Sequence, residues 1–358
     1  MHLGLRVVAL FLFCLSATAA ELKTRNVVLI ISDGFRWQEV FGGADRELMT
    51  KGVKNTNALS RDFWRDTPEA RREALLPFFW SEIARNGQLL GNQAKGSVVR
   101  VSNQKNFSYP GYNEIVTGIP DPRIDSNDKK LNPNTNVFEW INQQRGFRGK
   151  VSVLGSWNDF PWIFNVSRSH LPIWPAWDPQ FVPWEIKVPT HIPAVLSDIT
   201  PLWEDVIFDG VLFHAVEQHF EKARPRLMFV GFGETDEWAH AGRYDMYLRA
   251  AHNMDDFVRR LWEAAQSRSQ YRNKTTFIIT ADHGRGIGDE WTSHGEKIKG
   301  SDGDWLAVIG PDTPPRGERE NIPARTHSQI AATIAALLGE DFQKVSPQSG
   351  NSISELFQ

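Results

Sequence analysis

The sequence has a single cysteine in 358 residues, Cys14, and its net charge of −3 comes without a long run of either sign. The shortage of cysteine excludes a disulfide framework, a thiolate zinc site and a cysteine nucleophile from everything after Cys14. The balanced charge removes any mark of a nucleic-acid polymer or an anionic membrane as partner, and neither is expected. No internal repeat or low-complexity tract is visible, and nothing in the sequence signals an oligomeric state. What is present is ordinary for a soluble globular chain: 41% hydrophobic, 23% charged and 11% aromatic residues. That composition excludes a disordered, collagen-like or coiled-coil chain.

Cys14 itself lies in a segment that does not belong to the fold. Residues 1–20 run from Arg6 through the apolar stretch Val7–Leu15 to Ser16-Ala17-Thr18-Ala19-Ala20. This is the order of a secretory signal, with Ala17-Thr18-Ala19 as its cleavage motif. The apolar stretch falls short of the roughly 20 residues that span a bilayer, so stable membrane insertion is not expected. The remaining chain, 21–358, is expected to fold as one domain in a secreted or periplasmic location.

Five short apolar runs read as buried strands: Asn26–Ile31, Lys150–Leu154, Arg226–Phe232, Thr275–Thr280 and Asp304–Ile309. They are continuous rather than alternating, which suits strands covered on both faces. Helical spacing appears between them, most clearly over Tyr244–Ser267, and again over Gln329–Leu338 before Gly339. Strands alternating with helices predict an α/β three-layer sandwich, a mostly parallel central sheet with helices on both faces. Residues 157–203 break the rhythm with six tryptophans and eight prolines. Proline at that density predicts an irregular insertion without regular helix or central strand. Its rings, beginning with Trp157, could form a substrate platform or simply the insertion's own core.

Ligands of open α/β sheets sit beyond the carboxyl ends of the strands. The first run is followed by Ser32-Asp33-Gly34, the third by Gly233-Glu234-Thr235-Asp236 and on to His240, and the fourth by Asp282-His283-Gly284. His294-Gly295 stands shortly before the last run. Carboxylate oxygens and imidazole nitrogens together suit divalent zinc. Three aspartates and three histidines exceed one zinc shell and fit two ions. Plainer readings exist for each: Asp after a strand is a common cap or turn residue, and Asp236 with His240 is an ordinary pair on one helical turn. Their joint occurrence at one sheet edge favours the metal reading. His214, His219 and His252 lie in amphipathic stretches and read as structural or exposed. For a nucleophile the sequence offers Ser108, followed by Pro110 in the first turn of a predicted helix. A serine there sees the helix's positive end, and it also reads simply as the N-cap.

These blocks together resemble the alkaline phosphatase superfamily, most closely its nucleotide pyrophosphatase/phosphodiesterase branch. The matching segments are Val-Val-Leu-Ile-Ile-Ser-Asp33-Gly, Ser108-Tyr109-Pro110 with Thr117-Gly118, Asp236-x-x-x-His240, Asp282-His283-Gly284 and His294-Gly295. The resemblance implies one metal held by Asp236, His240 and His294, and another held by Asp33, Asp282, His283 and the Ser108 oxygen. His327 competes with His294 but opens the C-terminal helix, whereas His294-Gly295 stands before Trp305–Gly310 as the family's ligand does. Asn127 falls roughly where that branch places an asparagine against a phosphoryl oxygen. Two departures stand out: serine replaces the branch's usual threonine, and Gly111-Tyr112 replaces its Asn-His. No cysteine stands where the superfamily's sulfatases mature one to formylglycine. The implied activity is hydrolysis of a small-molecule phosphate ester by two divalent ions, zinc foremost, through a phosphoserine. A phosphotransferase or mutase, or a sulfate- or phosphonate-ester hydrolase, is the alternative.

Overall fold

A computed structural model describes residues 21–357 except 52, 54, 55, 175 and 178–184. The signal-like segment 1–20 lies outside the described residues, as do Trp184 and prolines 175, 179 and 183.

The strands of the main sheet are β1 (Asn26–Ser32), β2 (Gln88–Leu90), β3 (Val151–Gly155), β4 (Leu227–Phe232), β5 (Thr275–Thr280), β6 (Leu306–Ile309) and β7 (Gly317–Glu318). Their spatial order is β3-β4-β1-β5-β6-β2-β7. Only β6 runs against the rest, pairing antiparallel with both β5 and β2. The predicted run Asp304–Ile309 therefore divides: Leu306–Ile309 joins the main sheet, while Gly303–Asp304 pairs with Val99–Arg100 in a separate three-stranded sheet.

The continuous apolar runs resolve into two faces. Val28 and Ile30 of β1, with Met228 and Val230 of β4, pack into one core. Val27, Leu29 and Ile31, with Leu227 and Phe229, pack into the other. Successive side chains point to opposite faces, so a strand apolar at every position must be covered twice. Six helices cover the sheet or carry site residues: α1 (Ser108–Thr117), α2 (Val137–Gln143), α3 (Asp209–Lys222), α4 (Glu234–His240), α5 (Tyr244–Ser267) and α6 (Ile330–Leu337). The first core takes Leu212, Phe213 and Val216 of α3 and Leu248, Met254 and Val258 of α5. The second takes Ile115 of α1, Phe138 of α2 and Ile334 of α6. This is the three-layer α/β sandwich.

The 157–203 stretch is less irregular than its prolines predict. Phe160–Ile163, Val166–Ser169 and Ile192–Asp198 are short helices, and Pro161 and Pro193 sit in first turns, where the missing N–H costs nothing. Trp174 is fully buried and Trp157 nearly so, while Trp162, Trp177 and Trp203 pack partly buried against the cores. Among the described residues, no helix is long and apolar enough to cross a membrane.

Candidate metal centre

Register brings the chemistry together. In the parallel pairing, Ser32 aligns with Phe232 and Ile31 with Thr280, so β1, β4 and β5 end at one level. Asp33 leaves β1 there, Asp282 and His283 follow β5, and α4 begins just after β4 with Asp236 and His240 one turn apart. The start of α4 is fixed by reciprocal bonds: the Asp209 carboxylate accepts from Gly233 N (2.9 Å) and Glu234 N (3.0 Å), and Glu234 Oε1 accepts from Asp209 N (2.9 Å). Thr235 Oγ1 donates to the Asp33 carbonyl at 2.6 Å, tying α4 to the end of β1.

Two compact ligand groups result, Asp33/Asp282/His283 and Asp236/His283/His294, each with its donor atoms within 4.8 Å of one another. His240 joins from the solvent side, its Nε2 3.0 Å from Asp236 Oδ2 and 3.0 Å from His294 Nε2. Donor atoms around a tetrahedral zinc sit about 3.3 Å apart, so this spacing is that of one coordination shell. The tautomers agree. His283 Nδ1 donates to the Gly284 carbonyl (2.9 Å) and His294 Nδ1 to the Asn106 carbonyl (3.2 Å), which leaves each Nε2 as a lone pair turned inward. His283 Nε2 faces Asp33 Oδ1 at 3.4 Å and Asp282 Oδ2 at 3.6 Å. Both of those oxygens are buried and accept no hydrogen bond among the described residues. Lone pairs confronting lone pairs in a desolvated site are what a cation would hold together. The residues fit a pair of divalent ions.

The charges tell the same story. Burial, then the neighbouring Asp236, pushes Asp33 well above the ordinary carboxylate range; burial, then Asp33 and Asp236, does so for Asp282. Burial also works against the Asp236 carboxylate, but Arg285, His240 and His294 outweigh it and hold that group well below its usual range. Burial lowers His283 to about 4, and burial with the adjacent His283 lowers His294 to about 2.

Arg285, which sequence reasoning missed, is fully buried. Its Nε and Nη2 donate to the Trp291 and Thr292 carbonyls at 3.0 and 2.6 Å, and its Nη1 pairs with Asp236 Oδ1. One guanidinium thus stands among three buried carboxylates. Its signal was legible: an arginine two residues after His283, inside a loop that leaves a buried strand. Gly34, with φ +58°, has no room for a Cβ, which would meet Asp236 Oδ1 and Arg285 Nη1.

Ser108 is the first residue of α1, and Phe107 takes the N-cap place without a side-chain bond, so Ser108 is not the N-cap. Its Oγ lies 3.5 Å from His283 Nε2. The two departures from the family pattern have structural roles. A Cβ at Gly111 would collide with the Asp282 carbonyl, so glycine lets α1 lie against the metal loop. The Tyr112 hydroxyl donates to Asp33 Oδ2 at 3.0 Å.

Asp33, Ser108, Asp236, His240 and His294 line a cavity of about 180 Å³, together with Asn127, Trp157, Asp205 and Glu237. Asn127 Oδ1 accepts from Tyr109 N (2.9 Å), leaving its amide donor for the cavity. Trp157 is only 8% exposed and donates from Nε1 to Asp205 Oδ2 (3.0 Å), so it is a wall of the cavity rather than an open platform. His327 is elsewhere: fully buried, its Nε2 is 3.0 Å from Asp304 Oδ2 and it belongs to neither ligand group.

A family model described as Sulfatase matches residues 211–340, the part of the chain that carries α4, Asp282, His283 and His294. No curated protein matches the sequence. Among solved structures, the phosphonate monoester hydrolase SpPMH from Silicibacter pomeroyi is similar with a TM-score of 0.57 at 13% identity, covering 93% of this chain and 76% of that one. Alkaline phosphatase PafA is similar with a TM-score of 0.57 at 11% identity, over 95% of this chain and 100% of its own. A protein of the alkaline phosphatase superfamily from Vibrio parahaemolyticus follows at 0.52 and 14%, over 89% and 67%. At such identities the likeness establishes the fold, which is alkaline phosphatase-like.

Proposed function

We propose that this chain is a metal-dependent hydrolase of phosphate esters, a phosphodiesterase or phosphatase that works through a phosphoserine on Ser108. One observation carries the reading: a serine hydroxyl at the first position of a buried helix faces the edge of two carboxylate–imidazole groups. Asp236, His240 and His294 would hold one ion, and Asp33, Asp282, His283 and Ser108 the other. Two divalent ions, for which zinc suits this donor set, supply Lewis acidity and neutralise charge on the transferring group.

The rest belongs to the chain. Ser108 Oγ loses its proton and attacks phosphorus in line, the bond to the leaving oxygen breaks, and that oxygen departs with a proton. Water then attacks the phosphoserine, and cleavage of its P–Oγ bond releases the product and restores the hydroxyl. The Ser108 N–H at the start of α1, unpaired among the described residues, and the Asn127 amide would face the oxygens that gain charge. Gly111 and Tyr112 keep α1 and Asp33 in place for the attack.

The order of the motif blocks favours the nucleotide pyrophosphatase/phosphodiesterase branch among phosphate esters. The Sulfatase match favours sulfate esters as a second reading. Against it, no cysteine follows residue 14 to be matured. The signal-like residues 1–20 support a secreted or periplasmic enzyme. The test is a metal count on the purified chain, followed by turnover of aryl phosphate monoester, diester, phosphonate and sulfate. Two ions per chain with a phosphate ester preferred is the expected result. A sulfate ester preferred over all three phosphorus substrates would overturn it.

A further inference from the structure

A second depression, about 590 Å³ in volume, opens beside the metal cavity. The wall between them is Asn106, which lines the depression while its carbonyl accepts from His294 Nδ1. The two sides of this groove are the turn 296–302, just after His294-Gly295, and the segment 100–106, just before Ser108.

Its charge is opposite to that of the cavity. Arg100, Lys297 and Lys299 line it, exposed and without an ion-pair partner among the described residues. Of the two acids on its surface, Glu296 is engaged by Lys105 at 3.2 Å, leaving Asp302 against three free cations. The lining of the metal cavity instead includes Asp205 and Glu237. An anionic group extending from a substrate at Ser108 is therefore attracted toward the groove.

The groove is also held rigid. Glu114 of α1 accepts from Ser102 N, Asn103 N and Asn103 Nδ2. Asn103 Oδ1 in turn accepts from Lys105 N and Asn106 N, a turn that keeps Gln104 (φ 63°) and Asn106 (φ 53°) left-handed. Two non-glycine residues in that region within three positions are a strained feature of the kind functional sites retain. Across the groove, Ser301 Oγ bonds the Gly295 and Ile298 carbonyls at 2.8 and 2.7 Å. Asn106 Nδ2 donates to that same Ser301 oxygen, and its Oδ1 is buried without a partner among the described residues.

We propose that this groove is an anion subsite for a second negatively charged group, a phosphate, sulfate or carboxylate, of the same molecule whose ester lies at Ser108. The inference rests on the hydrolase reading and narrows its substrate class to esters that carry more than one anionic group. The test uses the metal-loaded full chain, with 4-nitrophenyl phosphate and 1,6-hexanediol bisphosphate as substrates. In the exposed double variant Lys297→Glu/Lys299→Glu, the ratio of kcat/KM for the bisphosphate to that for the aryl ester is expected to fall by about tenfold. Raising the salt should lower that ratio in the parent chain and leave the variant's unchanged. An unchanged ratio in the variant would overturn the proposal. If the parent chain turns over neither of these monoesters, the phosphatase reading fails while the diester assay above still tests the phosphodiesterase one, and titration with tripolyphosphate decides the groove separately. Tighter binding to the parent than to the variant upholds it, and equal binding overturns it.

Discussion

Ser152 and Ser108 each face the Nε2 of a histidine, the first at 2.9 Å from His219 and the second at 3.5 Å from His283. By distance alone Ser152 has the better pair. The difference lies in the proton. His219 Nδ1 accepts from Lys187 N at 3.1 Å, so its Nε2 carries hydrogen and donates to Ser152, leaving that hydroxyl without a base. His283 Nδ1 donates to the Gly284 carbonyl, so its Nε2 is a lone pair aimed at the carboxylates and Ser108. Ser152, the second residue of β3, lines a cavity of about 130 Å³ that holds no carboxylate–imidazole group among the described residues, whereas Ser108 opens α1 on the wall of the cavity that does. A Ser–His distance therefore identifies nothing until the other ring nitrogen is accounted for.

The largest expected effect tests that contrast directly. Ser108→Ala should lower turnover on the order of 10⁴-fold while keeping the metal content of the parent chain. Ser152→Ala should leave kcat/KM within about twofold, since a buried hydroxyl donated to by a histidine takes no part in the reaction. Steady-state kinetics and metal analysis on both variants settle the matter, and activity retained in Ser108→Ala would reverse the assignment.

Arg285 extends the contrast to charge, because it stands among carboxylates beside His283, whereas the charge acting on His219 is that of Lys187. Arg285→Met leaves Asp236 Oδ1 and the Trp291 and Thr292 carbonyls without their donor, and three buried carboxylates without their fixed cation. Removing one partner from a buried ion pair costs about 3–5 kcal/mol. Denaturant melts in chelator should show that loss, and added zinc should recover part of it. A metal-free variant as stable as the parent would mean that the guanidinium compensates nothing.

Next in size is Gly111→Ala. The added methyl must push α1 off the Asp282 loop, and a displacement of about 1 Å at the nucleophile costs on the order of 10² in rate. The matching change at a helix glycine with open space around it, Gly210→Ala on α3, should leave kcat/KM as it is.

How much of the fold and the site was legible in the sequence depends on the range of the interactions. Buried strands announce themselves locally, because a strand covered on both faces is apolar at each position; β1, β4 and β5 and the long helix α5 were all readable for that reason. The six ligand candidates were readable because strand ends are the one place where charge in a buried run calls for explanation. The three-residue strand β2 was not, since its place in the sheet is set by pairing with β6, more than two hundred residues away. The roles of Tyr112 and Gly111 were equally hidden, because each depends on what lies across the loop rather than beside it in sequence. Gly111-Tyr112 looked like a departure from a family pattern; in space it is a close approach and a hydrogen bond. The proline count of 157–203 misled for a local reason, since proline in a first helical turn is compatible with a helix.

The smallest expected effect returns to His219. Burial lowers its pKa to about 4, against an ordinary value of 6.5 in the unfolded chain. A base whose folded pKa is depressed binds more protons when unfolded, so its contribution to stability is complete above about pH 6.5 and is lost as the pH falls toward 4. Between pH 7 and pH 5 the loss amounts to about 2 kcal/mol. In metal-free chain, His219→Gln should remove that part of the acid sensitivity. The measurement is the difference in unfolding free energy between the two pH values, parent against variant, since Gln alters overall stability as well. Equal pH slopes would show that His219 is not held neutral by its surroundings. The tautomer that disqualifies Ser152 would then have to be argued again, because a protonated ring donates from both nitrogens and the Lys187 N–H could no longer be its partner.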